Sequence, residues 1–199
     1  MKKYSFPIFM TALVAMPIVA VAVFTIAGSF RVEELKILGQ APTFSLIERS
    51  GKPVLSDELK QKVWVASFVF TRCSEQCPML CEKLKRVQNK LRFKDKFRLV
   101  SFSIDPERDT PESLSEFAKK FNADPYKWLF VTGSKREIES IVRDGFHLMS
   151  GKEENSLTHS FKLVLIDGWG RIRGYYDGLD DSAVTQLIKD ARGLIRQAF

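Results

Sequence analysis

Glycine and proline are scarce in this 199-residue chain, at 11 and 8 copies, and that scarcity excludes collagen-like and low-complexity architectures. No segment repeats. No nucleic-acid-binding motif is present, and 31 basic residues are interleaved with 24 acidic ones. The formal charge of +7 therefore reads as a mixed, mildly basic surface, with an anionic lipid or an acidic protein partner as the alternative. The length suits a single domain with a real core plus an appendage.

One further absence is local. No charged residue lies between Lys3 and Arg31, and Pro7 to Phe30 would span roughly 36 Å as a helix against a hydrocarbon core of about 30 Å. A cleaved signal peptide competes, with Lys2 and Lys3 as its basic start and Ala20-Val21-Ala22 as its cleavage site. Signal cores, however, run only about 7 to 15 residues. The expectation is a short cytoplasmic tail (1–6), a retained single-pass transmembrane anchor (7–30), a tether (31–40) and a domain (41–199) on the periplasmic side of the inner membrane. Thiols there face an oxidising environment.

What the remaining chain contains is an alternation of strand and helix patterns. Thr43 to Ile47 reads as a first strand. The run VWVASFVF (Val63 to Phe70) is almost wholly apolar, as in a central strand covered on both faces. Leu80, Leu84, Val87 and Leu91 form one stripe on a helix beginning near Pro78. FRLVSFSI (Phe97 to Ile104) and WLFVT (Trp128 to Thr132) are further strands, and Thr110-Pro111 and Ser134 with Glu137 are helix starts. FKLVLID and RIRGYYD, joined by Gly168-Trp169-Gly170, predict a hairpin, and an amphipathic helix follows from Val184 to Leu194. Strand-helix-strand units imply parallel pairing, and the hairpin adds antiparallel strands. The predicted fold is thus α/β, a mixed sheet flanked by helices in a thioredoxin-like layout, with the N-terminal transmembrane helix appended.

All three cysteines fall in TRCSEQCPMLC (Thr71 to Cys81), just past the carboxyl end of the central strand, where functional groups collect in such sheets. With Pro78 as first helical residue, Cys77 would be the N-cap, its sulfur stabilised as thiolate by unpaired N–H groups and the helix dipole. Thiolate both binds metal and attacks disulfides. A structural disulfide is the plainer reading, but so small a loop removes little chain entropy. Two thiolates with an imidazole from His159 suit Cu(I), whereas zinc would want a fourth ligand such as Cys81. Cys81 stands one helical turn after Cys77 and equally fits a buried core position. The stretch DPERDTPE (Asp105 to Glu112) reads as a turn and a capped helix start, or as support for the cysteine loop or a docking site. Asp105 is carried as an auxiliary residue on that second reading. RGYYDG is similarly a turn with two exposed tyrosines.

FTRCSEQCP, SFSIDPERDTPE, THSFKLVLID and RGYYDG, in this order, resemble the Sco/SenC family of membrane-tethered, thioredoxin-like copper proteins. The resemblance runs from about Pro42 to the final helix. It implies that Cys73, Cys77 and His159 bind copper, and that the protein delivers copper to, or prepares the thiols of, the dinuclear copper centre of cytochrome c oxidase. Other copper chaperones or thiol reductants would be further partners. One departure is Thr158, where the family often places an acidic residue before the histidine; Glu153 and Glu154 lie further back. Two functions compete. The first is a non-enzymatic copper metallochaperone; the second is a thiol-disulfide reductase using Cys73 and Cys77, for which His159 would be dispensable. A peroxidase, a third class with this fold, fits the paired thiols and histidine less well.

Overall fold

Seven residues of unbroken burial, Val63–Val69, make the strand around which the domain is built. The computed structural model describes residues 35–93, 95–148 and 161–197; the expected anchor and His159 lie outside them. Among the described residues no helix is long and apolar enough to cross a membrane. Leu35–Phe199 forms one compact unit.

In chain order the strands are β1 (Gly39–Gln40), β2 (Ser45–Glu48), β3 (Pro53–Leu55), β4 (Val63–Val69), β5 (Phe97–Ser103), β6 (Trp128–Thr132), β7 (Lys162–Ile166) and β8 (Arg171–Asp177). The α-helices are α1 (Gln76–Lys90), α2 (Pro111–Lys120), α3 (Lys135–Ser140) and α4 (Asp181–Gln197). A 3-10 turn covers Ser56–Leu59, and a π-helical turn, Ile141–Gly145, continues α3. The strands form one mixed sheet in the order β1-β8-β7-β4-β5-β6-β2-β3. β4 pairs in parallel with β5 and β5 with β6, while β7 and β8 run antiparallel. This is the expected thioredoxin-like layout. The segment read as a tether is partly sheet: Leu38 donates to Ile172 and β1 pairs with β8.

Side chains alternate across a strand, so β4 feeds two cores. Val63, Val65 and Val69 pack with α1, α2 and α4 through residues such as Leu80, Leu84, Phe117 and Leu187. Trp64, Ala66 and Phe68 pack on the opposite face with Phe44, Phe102, Ile138 and Phe146. Burying each large apolar side chain contributes about 1.5–3 kcal/mol, which is why the continuous run becomes the centre of the sheet. Three buried polar groups among them are satisfied by one another: Trp128 Nε1 donates to Ser101 Oγ at 2.8 Å, and Ser101 Oγ lies 2.7 Å from Ser67 Oγ. The helix starts follow their sequence signals. Thr110 accepts from the Ser113 N–H ahead of Pro111, and Ser134 with Glu137 forms a reciprocal capping box.

Candidate metal centre

The cysteine loop leaves β4 at Phe70 and enters α1 at Gln76. The helix therefore begins two residues earlier than proline placement predicts. Cys77 is not the cap but the second helical residue, and Glu75 stands at the cap without a side-chain hydrogen bond. The sulfur at the helix end is Cys73, which accepts the Cys77 N–H at 3.1 Å.

That geometry divides the two thiols. Partial burial opposes ionisation of Cys73, yet the N–H groups of Cys77, Glu75 and Gln76 and the Cys77 thiol all favour its anion, and the balance holds it below the ordinary thiol range. Cys77 is 1% exposed. Burial pushes its thiol up to about 12, with Cys73 and the charge of Asp109 adding to the effect and the Phe70 backbone opposing it. Cys73 is thus the accessible nucleophile and donor, and Cys77 the protected one. All three cysteines are free thiols. Cys81 is fully buried among Leu80, Leu84 and their neighbours, and burial pushes its thiol well above the usual range. It occupies the core position that the helical stripe allowed.

Asp105 stays local. Its carboxylate accepts from Arg108 Nη1 at 3.2 Å, and its carbonyl caps the turn through the N–H groups of Arg108 and Asp109. The residue that reaches the cysteine loop is Asp109, which sequence reasoning did not single out. It is fully buried and accepts from Thr71 Oγ1 at 2.6 Å, from the Thr71 N–H at 3.2 Å and from Ser103 Oγ at 2.6 Å. A second aspartate in DPERDTPE, immediately before a helix cap, was the available signal, but its partner is 38 residues away. Loop support is therefore the reading of that stretch which the geometry favours, through Asp109 rather than Asp105.

The antiparallel register Ala66↔Val164 points the amino end of β7 toward the carboxyl end of β4. Phe161, just before β7, packs on the same core as Cys73, and its carbonyl accepts from the Gly178 N–H at 2.8 Å. Gly178 is wedged there: a Cβ would stand 2.3 Å from Leu80 Cδ1 and 2.6 Å from the Phe161 oxygen. The neighbouring tyrosines of RGYYDG are not both exposed. Tyr176 is half-buried and donates to Asp190, while Tyr175 donates to the Phe146 carbonyl. Among the described residues no group of three or more His, Cys, Asp or Glu side chains is arranged to hold a metal, and His159 lies outside them.

A thioredoxin-like sheet bearing a Cys-x-x-x-Cys loop at the carboxyl end of its central strand defines the class as a thiol- or metal-handling α/β protein. The particular family follows from comparison. A model of the SCO1/SenC family matches residues 36–196, and the chain belongs to that family. The crystal structure of a SCO1/SenC family lipoprotein from Bacillus anthracis is 32% identical with a TM-score of 0.72, covering 81% of this chain and 98% of that one. BsSco, a member of the Sco family of cytochrome c oxidase assembly proteins in which a disulfide switch was identified, is 30% identical with a TM-score of 0.71, covering 81% and 97%. Copper-bound ScoI from Arabidopsis thaliana is 31% identical with a TM-score of 0.65, covering 79% and 98%.

Proposed function

We propose that this protein is a membrane-tethered copper metallochaperone that carries copper on Cys73, Cys77 and His159 and transfers it to the dinuclear copper centre of cytochrome c oxidase. The observation that carries this reading is the pairing of Cys73 and Cys77 at the amino end of α1, where N–H groups favour the anion of the outer sulfur. Soft thiolates with one imidazole suit Cu(I), the cargo, and its low coordination number. The described start of β7 lies at this end of the sheet, and His159 precedes Phe161 by two residues in sequence. Copper-bound ScoI and the oxidase-assembly description of BsSco support the cargo and its destination. The uncharged stretch Pro7 to Phe30 and the lipoprotein relative support a membrane location, with the domain on the periplasmic side.

A second reading rests on the unequal thiols. As a reductase, the Cys73 thiolate attacks a partner disulfide, forming a mixed disulfide and expelling one partner thiolate. Cys77 then gives up its proton and attacks Cys73 Sγ, releasing the second partner thiolate and closing the Cys73–Cys77 disulfide. BsSco's disulfide switch supports it.

His159→Ala separates the two. On the metallochaperone reading the variant binds copper much more weakly and fails to support oxidase assembly in cells, while its two thiols still oxidise and reduce reversibly. Normal copper-dependent assembly in His159→Ala, together with failure in Cys73→Ala, replaces the metallochaperone with the reductase. Circular dichroism on both variants excludes loss of fold as the cause.

A further inference from the structure

The pole of the domain opposite the cysteines carries a surface that the copper site does not use. The turn between β7 and β8 projects there, because β7 runs antiparallel to β4, and Gln61, just before β4, donates its N–H to the Gly168 carbonyl. At its tip Trp169 is 63% exposed, with the Arg171 guanidinium 4.7 Å from its ring centroid. Trp64 and Trp128 are buried, so Trp169 is the single exposed tryptophan of the chain. Gln40 Nε2 donates to the Trp169 carbonyl, which joins the tip to the edge strand, and Ile37 and Leu38 beside that strand are 59% and 50% exposed. Phe93, 41% exposed, lies in the turn that Val63 joins through Lys96.

Scattered exposed apolar residues are normal. What distinguishes these is the company they keep. Lys60, Lys62, Arg92, Lys96, Arg171 and Arg192 gather at the same pole, on the turn before β4, the ends of α1 and α4, the start of β5 and the hairpin. Asp57, Glu58, Asp95 and the buried Asp167 are carboxylates among them; Asp57 pairs with Lys60 at 2.8 Å and Asp167 with Arg171 at 2.8 Å. Cations at the ends of α1 and α4 also complement the helix dipoles, but Lys60, Lys62, Lys96 and Arg171 lie on no helix. The cysteine pole is mixed instead: Asp105, Glu107, Asp177 and Asp181 are each paired with a cation there, Arg108, Lys135, Lys162 and Lys83 respectively.

We propose that the basic, aromatic pole is a docking surface for an anionic phospholipid bilayer, and that it holds the domain with the cysteine loop turned away from the membrane. Aromatic rings with one apolar face and one polar neighbour settle at the headgroup level, and Lys and Arg beside them are drawn to anionic lipid. The chain outside the described residues points to the same occupant. The uncharged stretch Pro7 to Phe30 ends only five positions before Leu35, and the Leu35 carbonyl is held by Arg173, which also binds Asp167 at the foot of the hairpin. Along β4, at about 3.3 Å per residue, the cysteine loop then stands about 20 Å further from the lipid, open to a partner approaching from the aqueous side.

Tryptophan fluorescence of the full chain in vesicles tests this directly. In phosphatidylcholine vesicles containing phosphatidylglycerol, lipids brominated on the acyl chains should quench Trp169, and added salt or pure phosphatidylcholine should weaken the quenching. Trp169→Phe should abolish that component and leave the emission of two buried tryptophans. Adding Met79→Trp to Trp169→Phe moves the reporter beside the cysteines, where Met79 is 54% exposed; this reporter should respond to aqueous acrylamide and not to brominated lipid. The proposal is overturned if Trp169 in the unaltered chain is quenched by acrylamide alone, or if the reporters at the two poles are quenched equally by brominated lipid. The first measurement needs no substitution, so it stands whether or not the variants fold.

Discussion

The Asp109 carboxylate and Thr71 form a two-point clasp, with the threonine hydroxyl and its backbone N–H both donating to the same buried side chain. Ser103 completes the set from the end of β5. The first residue of the cysteine loop is thereby pinned to the neighbouring strand and to the turn leading into α2. No ion pair with Asp109 occurs among the described residues, so its three donor groups compensate the burial of its charge.

Removing this acceptor should therefore be costly. Asp109→Ala leaves buried donors without a partner and should destabilise the domain by about 1–3 kcal/mol, measured by urea denaturation of the reduced protein. The midpoint potential of the Cys73/Cys77 couple should shift as well, because the loop and the charge near Cys77 both change. With Asp109 intact, Thr71→Ser, which keeps both donors, should leave both properties near wild type, whereas Thr71→Val, which loses the hydroxyl donor, should shift them in the same direction as Asp109→Ala.

The unequal thiols predict ordered alkylation. In the reduced, metal-free protein at neutral pH, iodoacetamide should label Cys73 well before Cys77 or Cys81, as mapped by peptide mass. The rate at Cys73 should rise with pH through a midpoint below that of an ordinary thiol. Cys77, whose thiol is raised to about 12, binds its proton more tightly folded than unfolded. Its contribution to stability is therefore complete below the ordinary thiol range and lost as pH rises through about 12. Cys73 has the opposite sign: its contribution is present above the ordinary thiol range and fades as pH falls through its depressed value.

Cys81→Ala should retain copper at the wild-type stoichiometry, since the buried sulfur serves the core on this geometry. It should lower stability by about 1 kcal/mol for one lost apolar group of that size. Metal analysis and thermal denaturation of the same sample report the two effects, and loss of most of the copper would place Cys81 among the donors.

Gly178→Ala should destabilise by about 1–3 kcal/mol through overpacking. The Leu80 methyl can shift, but the Phe161 carbonyl is backbone and cannot move without displacing the start of β7. Copper affinity should fall with stability in this variant, because the displaced elements carry Cys77 on one side and lead to His159 on the other. Unchanged denaturation and copper titration would show that the wedge relaxes freely.

The order of elements and the central place of Val63 to Val69 were determined by sequence alone, because hydrophobic period, caps and turn residues are local signals. The 3-to-4-residue stripe beside Cys81 made a core position one of its two readings, and packing against Leu80 and Leu84 selected it. Three features were decided only by tertiary structure. Residues 35–40 look like a linker because a two-residue edge strand has no periodicity to read; Gly39–Gln40 becomes sheet when β8 offers its open edge. Pro78 suggested where α1 begins, but the first turn of any helix has unpaired N–H groups, so a proline tolerates several positions there and does not set the start. Packing of Leu80, Cys81 and Leu84 against β4 set it at Gln76, and this moved the helix end from Cys77 to Cys73. Asp109 was illegible for a different reason: its partners Thr71 and Ser103 meet it only where parallel β4 and β5 end side by side, and a carboxylate's burial is a property of that meeting, not of the residues around it in the chain.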